Sequence, residues 1–276
     1  MPEGHVTYRL AAALTETFGG RAVRVSSPQG RFAESAEPLD GTNLAGAESV
    51  GKHLFITFAE DRIVWIHLGL IGRLDLGTAE VLLNPATVRL RISNGTAAAD
   101  LRGPQWCRLV TPPEQASVLA KSGADPLRAD ADPARAWAKV ARSRKPIGAV
   151  LMDQAAFAGV GNIFRAEVLF RHQIDPYLPA HSLTREVFDA VWTDLVVLMR
   201  AAVDVGHIDT VAPEHMPEVM GRPPRTDRHG GEVYVYRRAG QECLVCGGEV
   251  RSGVLAGRNL YWCVQCQPNG SLGQPR

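Results

Sequence analysis

Apolar residues recur at four-residue steps near the start of the chain. Val6, Leu10, Leu14 and Phe18 line one face of residues 5–18 and predict an amphipathic helix that stops at Gly19-Gly20. The pattern then changes to short apolar runs parted by turn residues: HLFITF (53–58), RIVWIHLGL (62–70), VRLRI (88–92) and QWCRLV (105–110). Such spacing predicts an antiparallel sandwich or barrel between residues 22 and 110. GADPLRADADP (123–133) is rich in Pro and Asp and reads as a linker. Helical periods follow over 134–142, 146–157, 162–171 and 185–205, with a Gly-punctuated turn at 159–161. Residues 207–231, dense in Pro, Gly, His and Arg, read as a mobile loop. A small β-rich module over 233–267 closes the ordered chain, and the last nine residues are expected to fray.

Composition changes this picture only slightly. The net charge of +1 does not by itself indicate a polyanionic partner. Its distribution is uneven: residues 133–276 carry 17 Lys and Arg against 14 Asp and Glu, leaving 13 against 15 for the first 132. That tilt is compatible with phosphate contact without establishing it. No run of 18 apolar residues occurs, so no membrane span is expected, and the start lacks the layout of a secretory signal. A soluble intracellular chain is the expectation.

Four of the five cysteines fall within residues 243–266, as Cys243-Leu-Val-Cys246 and Cys263-Val-Gln-Cys266. Two CxxC turns each present two thiolates, and joining them gives a closed tetrahedral shell. The expected cofactor is one structural Zn²⁺ per chain, since four thiolates leave no position for an activated water. Cys107 stands apart in an apolar run and reads as a small buried hydrophobe.

The chain opens Met1-Pro2-Glu3-Gly4. Removal of Met1 would free a secondary amine, and an α-amino group titrates near ~7.7–8.0 against ~10.4 for lysine, so much of it is nucleophilic at neutral pH. A secondary amine that attacks a sugar C1′ gives an iminium, which cannot shed a proton to become a neutral imine and so withdraws electrons strongly. Glu3 is placed to act as acid or base at the same centre.

Five segments, MPEG (1–4), GKHLF (51–55), IHLGLIG (66–72), LMDQAAFAGVGNIFRAEVLFRHQIDP (151–176) and GRNLYWCVQCQ (257–267), resemble in order and spacing the Fpg/Nei family of DNA glycosylases/AP lyases. Within it, Gly4 and the run Asp153-Gln154-Ala155 look more like endonuclease VIII (Nei) of actinobacterial type than like Fpg, which usually carries lysine at the position of Ala155. The resemblance implies a mixed α+β, multidomain fold: an N-terminal catalytic helix plus β-sandwich (1–122), a helical helix–two-turns–helix domain (133–232) and a C-terminal β-hairpin zinc finger (233–268). It implies Pro2 as the Schiff-base nucleophile, Glu3 as proton donor to the sugar, Lys52 as an aid to β-elimination and Arg258 as the finger arginine that grips phosphate and assists δ-elimination. It also implies DNA contacts at Asn162, in the Gly-Val-Gly-Asn turn, and at Lys121, and a wedge at Leu70 and Ile71 that fills the space left by a flipped nucleotide.

The chain departs from the family where a second glutamate is usual, having Val6 preceded by His5, and it has Gly69 where Nei chains place Gln before the wedge. Fpg-type Arg-Phe wedge residues are absent from Asp100-Leu101-Arg102-Gly103-Pro104-Gln105. The expected function is excision of oxidised bases, preferentially pyrimidines, followed by cleavage of the abasic site. Expected partners are damaged double-stranded DNA and single-stranded or bubble DNA, bound by a cytoplasmic, nucleoid-associated monomer. Two alternatives stay open on the residues alone: an oxidised-purine glycosylase and a non-catalytic lesion-binding protein on the same fold.

Overall fold

The computed structural model describes residues 2–81, 83–227 and 230–273. The chain divides into two compact units, residues 1–121 and 122–276.

The first unit is a helix on a two-layer β-sandwich. Helix α1 (Gly4–Phe18) buries Ala11, Leu14 and Phe18 and ends where the Gly19 amide donates to the Thr15 carbonyl. Full burial of a Leu or Phe side chain stabilises the fold by roughly 1.5–3 kcal/mol, so this stripe fixes the helix to the sheet. One sheet runs in the order β1 (Arg21–Ala22), β3 (Asn43–Val50), β4 (His53–Phe58), β5 (Arg62–His67), β9 (Trp106–Val110), all antiparallel. The other runs β2 (Arg24–Ser26), β7 (Val88–Ser93), β8 (Ala97–Arg102), β6 (Arg73–Thr78). A short helix, α2 (Ala33–Ala36), lies between β2 and β3.

The unbroken apolar runs of β4 and β5 have a physical cause: both faces are covered. Leu54, Ile56, Phe58, Val64 and Ile66 point into the sandwich core with Leu90, Ile92 and Leu101. On the opposite face Phe55, Ile63 and Val110 are buried with Val118 and Leu119 of α3 (Pro112–Lys121). Cys107 is buried, as read from the sequence, and burial pushes its thiol up to about 12.

The second unit holds α4 (Pro133–Val140), α5 (Ile147–Val150), α6 (Asn162–Arg171), α7 (Arg185–Val205), α8 (Pro217–Met220) and the hairpin β10 (Val250–Leu255)–β11 (Arg258–Cys263). Helix α6 is its axis, buried continuously from Asn162 to Phe170. Helix α7 is bounded as its pattern indicates, with the Thr184 hydroxyl accepting from the Val187 amide and Gly206 left-handed at its end.

Four expectations require correction. The supposed linker is core: Ala124 and Leu127 are buried, Ala124 bridges to Phe157, and Asp125 accepts from the Leu127 amide. The helical period over 146–157 yields only α5, because the Asp153 carboxylate captures the Ala155 amide and the chain turns. Strand structure in 233–267 is confined to β10 and β11. Residues 270–272 do not fray: the Gly270 amide donates to Asp175, the Ser271 hydroxyl donates to the Gln173 carbonyl, and Leu272 bridges to Ile174. In the segment read as a mobile loop, the described part carries α8, and Arg225 donates to the carbonyls of Gly230, Gly231 and Tyr236.

Candidate active site and nucleic-acid interface

In the first unit the N-terminus and the Lys52 turn are brought to one place. Pro2 is half-buried, and Glu3 is fully buried at the N-cap of α1. One turn on, the Thr7 hydroxyl lies 2.7 Å from the Gly51 carbonyl and 2.9 Å from the Gly4 carbonyl, sharing its one proton between them. Gly51 (φ +58°) and half-buried Lys52 form the tip between β3 and β4. Thr7 therefore fastens this tip to the first turn of α1, a role that sequence reading missed because a helical threonine carries no signature. His5 is buried, and Val6 packs against the sandwich core. Val6 thus takes the packing position, so no carboxylate stands there.

Beyond the tip, a ring cluster lies on the same face of β4, β5 and β9. His53 pairs with His67 across the ladder and His67 with Trp106. The Trp65 indole donates to His53 Nδ1 (3.1 Å), and the His67 and Trp106 ring centres are 4.5 Å apart. Burial, then His67 and Lys52, push His53 down to about 4, and burial with Lys52 nearby holds His67 below the ordinary histidine range. Both imidazoles are neutral at pH 7. From the end of β5 project Leu70 and Ile71, 56% and 80% exposed. They are not strand-end core residues. Lys121 is exposed at the end of α3.

In the second unit the Gly159–Asn162 turn is held by a side chain that sequence reading passed over. Gln154 donates to the Val160 carbonyl (2.8 Å) and accepts from the Gly159 amide (3.1 Å). Asn162 is buried rather than turned out to solvent, and its amide donates to the Asn259 carbonyl (2.8 Å). Arg165, fully buried one turn along α6, donates to the Asn162 side-chain oxygen and to the same Asn259 carbonyl. The residue that follows Arg258 is thereby tied to α6. Arg258 itself is exposed at the hairpin tip, and its side chain makes no ion pair or hydrogen bond among the described residues. A second buried group, Glu167, accepts from the amides of Tyr234, Val235 and Tyr236 and from the Thr210 hydroxyl, and so anchors the segment that leads to the finger.

The sulfur atoms of Cys243, Cys246, Cys263 and Cys266 all lie within 4.8 Å of one another. Burial pushes the Cys243 thiol up to about 11 and that of Cys266 up as well. A bound cation displaces the protons of clustered thiols, and an all-sulfur set of this compactness suits one structural zinc. When bound, zinc crosslinks the two CxxC turns that carry the hairpin.

Three family models match the chain: the formamidopyrimidine-DNA glycosylase N-terminal domain over residues 1–105, the formamidopyrimidine-DNA glycosylase H2TH domain over 122–213, and the zinc finger found in FPG and IleRS over 240–269. Endonuclease 8 1 of Mycobacterium tuberculosis is 47% identical over 274 residues, spanning 97% of this chain and 100% of that protein. Formamidopyrimidine-DNA glycosylase of Corynebacterium aurimucosum is 30% identical, spanning 90% of this chain and 89% of that one. In fold the chain resembles the Lactococcus lactis Fpg solved in complex with DNA containing an abasic site, with a TM-score of 0.78 at 20% identity, covering 97% of this chain and 100% of that one. No helix among the described residues is long and apolar enough to cross a membrane. A proline-glutamate start fastened to a lysine turn and a four-cysteine hairpin tipped by arginine stand, therefore, in a chain that belongs to the Fpg/Nei family of DNA glycosylases/AP lyases.

Proposed function

We propose that this enzyme excises oxidised bases from DNA, preferentially pyrimidines, and then cleaves the abasic site, with the amine of Pro2 as nucleophile. The observation that carries this is the attachment of the Lys52 tip to the first turn of α1 through the Thr7 hydroxyl, directly behind Pro2 and the fully buried Glu3. Met1 lies outside the described residues, and its removal is part of the proposal.

In the proposed sequence the Pro2 nitrogen forms a bond to C1′ as the damaged base leaves with the glycosidic electron pair, and the proton that the nitrogen sheds passes to the departing base. Glu3 supplies the proton that opens the sugar at its ring oxygen. The resulting iminium withdraws electrons from C2′; loss of a C2′ proton expels the 3′ phosphate, and a second elimination expels the 5′ phosphate. Lys52 assists the first elimination and Arg258 the second, where a fixed guanidinium fork suits a phosphate better than a lysine would. Leu70 and Ile71 fill the space of the withdrawn nucleotide, and Lys121 contacts the backbone together with the Gly159–Asn162 turn, to which Asn162 contributes by holding the turn against Asn259. The pyrimidine preference rests on Ala155 and on the likeness to an endonuclease 8, with 47% identity against 30% for the formamidopyrimidine-DNA glycosylase. Activity on single-stranded or bubble DNA, weak discrimination of the opposite base, and a monomeric, nucleoid-associated enzyme complete the reading.

Borohydride trapping tests it, on duplex and single-stranded oligonucleotides that carry either an oxidised pyrimidine or an oxidised purine. The expected result is a covalent adduct whose peptide map places the DNA on Pro2, formed faster with the pyrimidine lesion and abolished by an N-terminal extension. A cross-link on Lys52 would overturn the nucleophile, and faster trapping on the purine lesion would overturn the substrate preference.

A further inference from the structure

The exposed tip Leu70-Ile71 is too short and too apolar to hold its own shape in water, yet its backbone is closed at several points. The Gly69 amide donates to Nδ1 of His67 (3.0 Å). The Gly72 amide donates to the Leu68 carbonyl (3.1 Å), and the Gln105 amide donates to the His67 carbonyl (2.9 Å). Leu68 is buried and anchors the base of the tip. Gly69 is left-handed (φ +69°), and a Cβ there would come within 2.9 Å of the Gln105 Cβ; a Cβ at Gly72 would stand 2.2 Å from the Leu68 carbonyl oxygen. Two residues therefore project from a frame in which His67 makes two of the closures, one through its main chain and one through its ring.

We propose that His67 is a positioning residue for the wedge, its Nδ1 fixing the Gly69 amide so that Leu70 and Ile71 are presented in the conformation that enters the duplex. The proposal rests on the wedge reading of Leu70 and Ile71 given above. An amide can only donate, so Nδ1 must be the bare nitrogen, and the neutral ring carries its proton on Nε2. The ring cannot turn away from this role, because it packs on Trp106 at 4.5 Å and beside His53 at 5.5 Å. Burial and the Lys52 charge keep it unprotonated, which preserves the lone pair that the Gly69 amide needs. The bond spans two residues, the same span as the side-chain-to-backbone bond that asparagine makes in an Asx turn. Asparagine at position 67 therefore keeps an acceptor where Nδ1 stands, whereas glutamine keeps a polar atom only near Nε2.

This difference supplies the test. Full-length enzyme with a processed N-terminus would be compared as wild type, His67→Ala, His67→Asn, His67→Gln and the double variant Leu70→Ala/Ile71→Ala. Two duplexes would be used, one with a single thymine glycol and one with a preformed abasic site, each with 2-aminopurine opposite the lesion to report loss of its stacking partner. Base release needs the damaged nucleotide expelled from the stack, and an abasic sugar needs much less help, so the ratio of the two rates isolates the wedge. Loss of one buried hydrogen bond should lower that ratio about tenfold in His67→Ala, equal to ~1.4 kcal/mol, and reduce the 2-aminopurine signal. His67→Asn should restore both readouts and His67→Gln neither, a pattern that general loss of stability would not produce. Equal behaviour of the Asn and Gln variants would overturn the proposal, even if the Ala variant proved too unstable to assay. If the Leu70/Ile71 double variant matched wild type in both readouts, the wedge reading would fall and the proposal with it. If the double variant were impaired while His67→Ala and His67→Gln were not, the role of His67 alone would fall.

Discussion

Two hairpin tips in this molecule carry the same pair of residue types, a left-handed glycine followed by a cation, and they are held in different ways. Gly51-Lys52 joins two strands of a five-stranded sheet whose inner face is packed with Leu54, Ile56, Val64 and Ile66. Its main chain is fastened to α1 by Thr7, and Lys52 is half-buried. Gly257-Arg258 closes a hairpin of only two strands, with Ala256 and Gly257 both at positive φ in the pattern of a type I′ turn. Such a hairpin is marginal by itself. Its support comes from four cysteines behind it and from Asn162 and Arg165, which converge on the Asn259 carbonyl. A core of apolar side chains cannot be removed reversibly, and a metal can. The two cations proposed for the two eliminations therefore depend on different sources of stability.

The largest effect should therefore follow from removing zinc. Chelation, or Cys266→Ser, is expected to unfold the finger and to weaken duplex binding by about a hundredfold, ~2.7 kcal/mol, because structural zinc supplies folding energy directly to the module it crosslinks. The Lys52 tip should stay in place. Near-ultraviolet circular dichroism of variants that keep only Trp65 or only Trp262, with the other tryptophans replaced by phenylalanine, can separate the two regions, since Trp65 reports the sandwich and Trp262 the finger. Wild-type affinity in a zinc-free Cys266→Ser protein would show that the hairpin stands without its metal and would erase the contrast.

A finer division comes from truncating the two cations themselves. Arg258→Ala is expected to leave the fold intact, since the side chain is exposed, and to lower the salt slope of DNA binding by roughly one unit. Its products should shift from δ- toward β-elimination on a denaturing gel. Lys52→Ala should slow the first elimination instead, and so reduce total cleavage without changing the product ratio. The same product shift from both variants would mean that the tips do not divide the chemistry.

What the sequence displayed and what it concealed follows the same physical line. Helices α1, α6 and α7, strand β4 and the four-cysteine set could all be read, because each depends on a period or a spacing that local chemistry imposes. The roles expected of Pro2 and Glu3 follow from amine and carboxylate chemistry but gain their weight from the resemblance, since a two-residue start has no period. Thr7, Gln154, Arg165 and Glu167 could not be found. Thr7, Arg165 and Glu167 act by hydrogen bonds to main chain distant in sequence, at Gly51, Asn259 and Tyr234–Tyr236, and Gln154 by bonds across its own turn; the side chain alone announces neither kind of partner. The failed linker at 123–133 has the converse cause. Asp and Pro there mark turns correctly, but turns can be buried when Asp125 and its neighbours satisfy the backbone internally.

The smallest effect is a matter of pH, and it distinguishes the tips by the residues beside them. His53 follows Lys52 directly, accepts from the Trp65 indole, and is held down to about 4 by burial, His67 and Lys52. In the unfolded chain it would titrate near ~6.5. Between those values the unfolded state binds a proton that the folded state refuses, so stability rises with pH over that window. The contribution is fully present above pH 6.5 and is lost as the pH falls toward 4. Because the ring is partly exposed, about 1–2 kcal/mol is the expected size, below the ~3 kcal/mol that complete burial would give. His53→Asn keeps an acceptor for the indole and removes the titration, so its melting temperature should fall less than that of wild type between pH 7 and pH 5. The finger has no histidine between residues 240 and 269, and acid loosens it by another route, protonation of thiolates with release of zinc. Zinc release measured with a chromogenic chelator should therefore follow one pH curve in both proteins, while the Trp65 signal follows two. If His53→Asn moved both signals together, the two tips would share one acid-sensitive element, and their separate support would be refuted.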